Sequence, residues 1–162
     1  MLIGVPGSGK STWIKNNVDI FKDAMIASTD NLIELAAKVN NKTYDQVFKE
    51  AIGSAEKAMY EMVMGAVKDD MNIIWDQTNL NRKNRAKKLI MIPDHYEKIA
   101  IFFSTPDDLD QRLANRPGKT IPYHVMKSML SSLEYPQHDE GFDVIYDVIT
   151  FNNRMEMYKE LM

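Results

Sequence analysis

The sequence predicts an α/β layer fold, a parallel five-stranded sheet with helices on both faces. Short apolar runs alternate with stretches of helical periodicity, the pattern of layered α/β chains. Helical crossovers separate the runs, as parallel pairing requires. No repeat or low-complexity linker divides the 162 residues, so the chain reads as one domain, 1–162.

The elements follow in order. Met1 to Gly4 is a short apolar strand, and Lys10 to about Asp19 a helix. Ala24 to Ser28 is a second strand, followed by a helix from about Asn31 to Val39. The next helix starts at Thr43, which forms a capping box with Gln46. Its apolar stripe runs from Tyr44, Val47 and Phe48 through Ala55, Met59 and Val63 to Val67. Asn72 to Trp75 is a buried strand ending at Asp76, and a basic helix spans about Arg82 to Met91. Ile99 to Phe103 is a strand, and Pro106 opens a helix that ends before Pro117. Pro122 sits in the first turn of a helix reaching about Leu133. Phe142 to Phe151 holds the last strand, and the tail after it reads as helical.

Composition narrows the function classes. Hydrophobic residues make up 44% and charged residues 27%, the range of globular chains. Twenty Lys and Arg against 23 Asp and Glu give a net charge of −3, which argues against a surface that binds nucleic acid all over. A local basic groove stays open. The absence of cysteine excludes disulfides, thiolate zinc sites and thiol catalysis, and suits a reducing, cytoplasmic compartment. No apolar run approaches ~18 residues, so no membrane span is expected. The opening Met-Leu-Ile-Gly is too short for a signal peptide. His95, His124 and His138 stand apart, without metal-ligand spacing.

The most informative segment is Gly4-Val5-Pro6-Gly7-Ser8-Gly9-Lys10-Ser11-Thr12, a P-loop between an apolar strand and a helix. Small residues let the backbone wrap a phosphate with its N–H groups inward, and the helix turns its positive end to the same charge. Gly7, Ser8, Gly9, Lys10, Ser11 and Thr12 are the expected nucleotide contacts. Lys10 is expected on the β- and γ-phosphates and Ser11 on Mg²⁺.

Two acids follow strands at the edge where such sheets bind ligands. Asp30, in Ser28-Thr29-Asp30, can accept the proton of an attacking hydroxyl or serve as a helix cap or first-turn acid. Asp76, in Asp76-Gln77-Thr78-Asn79-Leu80, can hold the Mg²⁺ shell, position an acceptor, or simply form a turn. Arg112 and Arg116 share a helix face, in a helical lid of about 112–122. Arg116 stands where Pro117-Gly118 breaks the helix, a point from which a guanidinium can swing over phosphates. Both arginines could instead serve the helix dipole.

With these residues in place, the chain resembles the kinase domain of phage-type polynucleotide kinases over most of its length. The marks are Gly4 to Trp13, Thr29-Asp30, Thr78-Asn79-Leu80-Asn81, Arg112 to Arg116, and Ile121-Pro122 with Val125 to Met129 behind the lid. The resemblance implies a P-loop kinase-type fold that uses ATP and Mg²⁺ to phosphorylate the 5′-hydroxyl of DNA or RNA. It implies Asp30 as general base, Arg116 as the lid arginine on the transferred group, and Lys10 and Ser11 on the triphosphate and Mg²⁺. A phage-encoded kinase would work in the host cytoplasm. Three features differ from the family pattern. Ile33 stands where the family has an arginine that grips the acceptor's phosphate. The Asp76 segment has one residue more between its acid and Thr-Asn. No Asp-x-Asp-Gly-Thr stretch of a phosphatase half appears, which implies a stand-alone kinase.

The acceptor side is expected at Asp76, Thr78, Asn79, Arg82 and Arg85, with Arg112 joining the nucleotide contacts. Arg82, Lys83, Arg85, Lys87 and Lys88 either meet a nucleic-acid backbone or form the solvated face of their helix. Few aromatics interleave with them, so no stacking platform is evident. The alternatives are a kinase for a nucleotide, nucleoside, sugar or other small acceptor, and an ATP-binding module without transfer. The set Lys10, Asp30 and Arg116 favours chemistry, because a pure binder needs neither base nor lid arginine.

Overall fold

The computed structural model describes residues 1–116, 118–151 and 154–159. Strand β1 (Leu2–Ile3) is followed by α1 (Lys10–Asn16), β2 (Met25–Ala27), α2 (Thr29–Val39) and α3 (Tyr44–Lys68). Then come β3 (Ile73–Trp75), α4 (Arg82–Leu89), β4 (Ile99–Phe103), α5 (Leu109–Ala114) and α6 (Tyr123–Ser131). A 3₁₀ turn (His138–Glu140) leads into β5 (Val144–Phe151) and β6 (Arg154–Lys159).

The α/β fold with its mostly parallel sheet is as the sequence predicts. β1, β4 and β5 run parallel side by side, with Leu2 opposite Ile101 and Ile99 opposite Val144. β2 and β3 form a second parallel pair, Met25 opposite Ile73. Two hydrogen bonds tie that pair to β1. The Gly4 N–H donates to the Thr78 carbonyl at 3.0 Å, and Asn79 Nδ2 donates to the Leu2 carbonyl at 2.6 Å.

The tail departs from expectation. It forms β6, antiparallel to β5 from Tyr146 opposite Lys159 to Phe151 opposite Arg154. Met, Glu and Lys favour helix locally, but the outer edge of β5 offers unpaired backbone groups that must be satisfied. Met155 also packs on the apolar cluster of Leu2, Trp13, Ile14, Ile74, Phe103 and Val148.

Strand alternation divides the core between two faces. Leu2 joins the cluster around Trp13, whereas Ile3 joins Leu89, Ala100, Phe142 and Ile145. Helix α3 starts with the predicted capping box, Gln46 N–H to Thr43 Oγ1 and Thr43 N–H to Gln46 Oε1. Its Met59 and Val63 pack on Ala27 and Trp75, and its Val47 and Ala55 pack on Ile33 and Ala37 of α2. Ile33 is fully buried, a core position facing α3.

Helix α4 buries two of its five cations, Arg85 and Lys88, and leaves Arg82, Lys83 and Lys87 at the surface. Arg85 is the largest fully buried side chain among the described residues. Its Nε and Nη2 donate to the two Glu140 oxygens at 2.8 and 2.7 Å, and its Nη1 donates to the carbonyls of Asn79, Leu80 and Glu134. Lys88 is buried too, donating to Asn79 Oδ1 with its ammonium 5.3 Å from the Trp75 ring centre. Lys83 and Lys87 stay exposed.

This pairing generates a stability prediction. Arg85→Met leaves the Glu140 carboxylate buried without its partner, and should cost about 3–5 kcal/mol in urea unfolding. Adding Glu140→Leu should recover part of that loss, because the unpaired buried carboxylate goes, while the carbonyls of Asn79, Leu80 and Glu134 still lack their Arg85 donor.

Candidate active site

The loop from Gly4 to Lys10 carries the chain from β1 into α1. Gly7 and Gly9 have φ values of 86° and 102°, left-handed conformations that side-chain-bearing residues avoid. A Cβ on Gly7 would also lie 2.9 Å from a Leu109 methyl of α5. Within the loop, Lys10 Nζ donates to the carbonyls of Gly4 and Val5 at 2.8 and 2.9 Å and to Ser8 Oγ at 3.4 Å. The lysine is thus buried at the centre of its own loop. Burial pushes its ammonium down to about 8; the charges of Asp76 and Asp30 oppose that shift and Arg116 adds to it.

Ser11 Oγ donates to Asp76 Oδ2 at 3.4 Å, joining the first turn of α1 to the end of β3. A hydroxyl and a carboxylate make an all-oxygen donor pair that fits a hard divalent cation which keeps most of its waters. Burial raises the Asp76 carboxyl above the usual range, against the pull of Lys10.

Asp30 stands beside this pair, in the first turn of α2. The cap belongs to Ser28, whose Oγ accepts the Asn31 N–H at 3.3 Å, which leaves the Asp30 side chain free of that duty. Its Oδ1 accepts the Tyr44 hydroxyl at 2.7 Å, and its Oδ2 accepts Lys119 Nζ at 3.0 Å. Burial alone would raise this carboxyl; the Tyr44 hydrogen bond, Lys119 and Arg116 together hold it below the usual carboxylate range. Burial and Asp30 push the Tyr44 hydroxyl far up, so it stays a donor.

The lid residues lie over the loop. Arg112 Nε is paired with Asp108 Oδ1 at 2.7 Å, and the Arg112 guanidinium is a near neighbour of Gly9. Arg116 has no ion pair among the described residues, yet its charge acts on Lys10, Asp30 and Tyr44 alike.

Lys10, Ser11, Asp30, Asp76 and Arg116 are therefore brought together, with Arg112 at the margin. The remaining expected acceptor residues are placed otherwise. Asn79 faces inward through its amide bond to β1 and is only 2% exposed, whereas Thr78 gives β1 its backbone carbonyl and keeps a half-buried side chain. Arg85 has no surface to offer, contrary to the expectation that it meets an acceptor. Arg82 is tied to Asp139 at 2.9 Å, and its N–H donates to Glu134 at 2.8 Å. The acids that claim these arginines lie about fifty residues away in sequence, beyond any local pattern. Sequence reasoning also missed Lys119, Glu34 and the role of Tyr44, which reads as one more member of the α3 stripe.

A P-loop at the end of a parallel strand, an acid at the end of each strand in the adjoining pair, and arginines on a lid define a nucleotide-binding P-loop protein of the kinase type. Residues 1–136 match a family model described as an AAA domain, and the chain belongs to that family. It is also similar to the heterogeneous nuclear ribonucleoprotein U-like protein 2 of Mus musculus, 23% identical over 158 residues, 90% of this chain and 20% of that protein. The Homo sapiens protein of the same name is 22% identical over 157 residues, with the same shares. The chain thus spans about one fifth of the length of these curated relatives.

The burial of Lys10 generates a prediction about binding. The charged amine is the form that attracts a triphosphate, and above about pH 8 the free loop holds it increasingly neutral. Nucleotide binding must then take up a proton, so affinity should fall as pH rises through about 8, approaching about tenfold per pH unit. Calorimetric titration with ATP from about pH 7 to about 9.5, in buffers of different ionisation heat, checks both the slope and the proton uptake. Affinity flat across that range would show that the amine does not titrate there.

Proposed function

We propose that the chain is an ATP-dependent kinase that transfers the γ-phosphoryl group to the 5′-hydroxyl end of a polynucleotide. The observation that carries the reading is the convergence on one site of Lys10, the Asp30 carboxylate and Arg116, whose charges act on one another. Lys10 exchanges its loop carbonyls for the triphosphate. Ser11 and Asp76 would hold Mg²⁺, which would neutralise charge on the phosphates. Asp30, kept ionised, takes the proton of the attacking hydroxyl. Arg116 meets the charge that spreads over the transferred group. The relatives' name, that of a ribonucleoprotein, supports a nucleic-acid acceptor.

One observation favours a second reading, a small hydroxyl acceptor. Arg85, one expected contact to a phosphate backbone, is held inside the fold by Glu140, and Ile33 lies in the core.

Label transfer from γ-labelled ATP to 5′-hydroxyl DNA and RNA oligomers, nucleosides, nucleoside monophosphates and sugars separates the two. Label on oligomers alone supports the first reading, and label on small molecules alone replaces it. Asp30→Asn should keep the fold and ATP affinity and lower transfer by roughly 10²–10⁴, the usual loss for a positioned base. Arg116→Ala should lower kcat far more than it raises KM for ATP, by up to on the order of 10³. An effect on ATP affinity alone would make Arg116 a ground-state binder.

A further inference from the structure

We propose that Lys119 is a positioning residue that masks Asp30 until the acceptor enters, and so makes the site prefer an acceptor hydroxyl to water. The proposal rests on the kinase reading above.

Lys119 Nζ lies 3.0 Å from Asp30 Oδ2 and 2.5 Å from Glu34 Oε1. It stands 4.3 Å from the centre of the Tyr44 ring, a further hold on the cation. Its side chain is 15% exposed, whereas those of Asp30 and Glu34 are 49% and 56% exposed. With Tyr44 on Oδ1, both oxygens of Asp30 are engaged, one from the body of the protein and one from the lid.

The ammonium is aimed by its backbone. The Asp45 N–H donates to the Gly118 carbonyl at 3.1 Å. On the other side of Lys119, the Thr120 N–H donates to the Asp45 carboxylate at 2.9 and 3.1 Å. These bonds pin the lid to the start of α3 and present Lys119 to α2. Asp30 and Glu34 are one turn apart on α2, so a lysine leaving Asp30 is already bonded to its next partner.

The chemistry follows from that exchange. Water attacking ATP forms a bond from its oxygen to the γ-phosphorus, while the bond from that phosphorus to the bridging oxygen breaks. ADP leaves with the electron pair, and the water's proton goes to Asp30. A carboxylate held by an ammonium is a weaker proton acceptor, which suppresses this route. An acceptor hydroxyl undergoes the same bond changes, but the rest of its molecule supplies binding energy to move Lys119 onto Glu34. Water has no such remainder. Tyr44, Lys119 and Arg116 act on Asp30 directly, and Lys10, Asp76 and Glu34 complete the charged groups around it.

Lys119→Met keeps the reach over Tyr44 and removes the charge. It should raise acceptor-free ATP hydrolysis on the order of tenfold and move the acid limb of the transfer profile to higher pH, with ATP affinity unchanged. Lys119→Arg should restore suppression. Glu34→Gln has the opposite sign, lowering kcat/KM for the acceptor while hydrolysis stays low. Unmoved hydrolysis and an unmoved acid limb in a folded Lys119→Met chain overturn the mask, and so does a rise in acceptor KM alone, which would make Lys119 a grip. A native chain that transfers label to no acceptor fails the kinase reading, and the mask with it. Intact transfer with unmoved hydrolysis in Lys119→Met overturns the mask only.

Discussion

The side chain of Asn79 is the joint on which the site depends. One amide reaches the Leu2 carbonyl of β1 through Nδ2 and accepts Lys88 of α4 through Oδ1. Its backbone takes a φ of 49°, a left-handed conformation that asparagine tolerates better than most residues. Direct pairing between β1 and β3 amounts to little more than the bond from Gly4 to Thr78. The amide therefore supplies much of the registry that sets β2 and β3 beside the phosphate loop. An apolar replacement would take the amide away from both a strand carbonyl and a buried ammonium.

That alignment places the charges. Asp76 leaves β3 level with Ser11, and Asp30 leaves the neighbouring β2 one strand further out. Two carboxylates and one buried lysine then share a small volume; both acids act on the protonation of Lys10, and Lys10 and Asp30 act on that of Asp76. The lid adds cations from above without belonging to the sheet. Its docking uses backbone bonds to Asp45, so the cost of holding Lys119 in place falls on the main chain and little on a long side chain.

What could be read from the sequence was what depends on neighbours in sequence. The phosphate loop needs only its glycines, Lys10 and Ser11 in order, and the Thr43–Gln46 capping box needs only a three-residue step. The strand Ile99–Phe103 is a continuous apolar run with helices on either side, and it forms as read. Arg85 resisted reading because its partner Glu140 is 55 positions away, and a cluster of cations on a short helix looks the same whether its acids are near or absent. Lys119 follows a Pro-Gly pair and has no periodic companions, so only the folded lid brings it to Asp30. The tail forms a strand and not a helix because helix preference in Met, Glu and Lys is weak beside an open strand edge.

That last strand also decides how the sheet meets solvent. β5 is eight residues long and largely apolar, the kind of edge on which foreign chains could template themselves. β6 covers it and becomes the border in its place. The new border exposes Met157 and Tyr158, interrupted by the charges of Glu156 and Lys159. At the opposite margin β2 is three residues long, too short to recruit a partner. The edges at β2 and β6 are thus guarded by different means, brevity at one and a charged sacrificial strand at the other. Trimming β6 would remove the Met155 packing beside the phosphate loop and at the same time lay the β5 edge open to pairing with other chains.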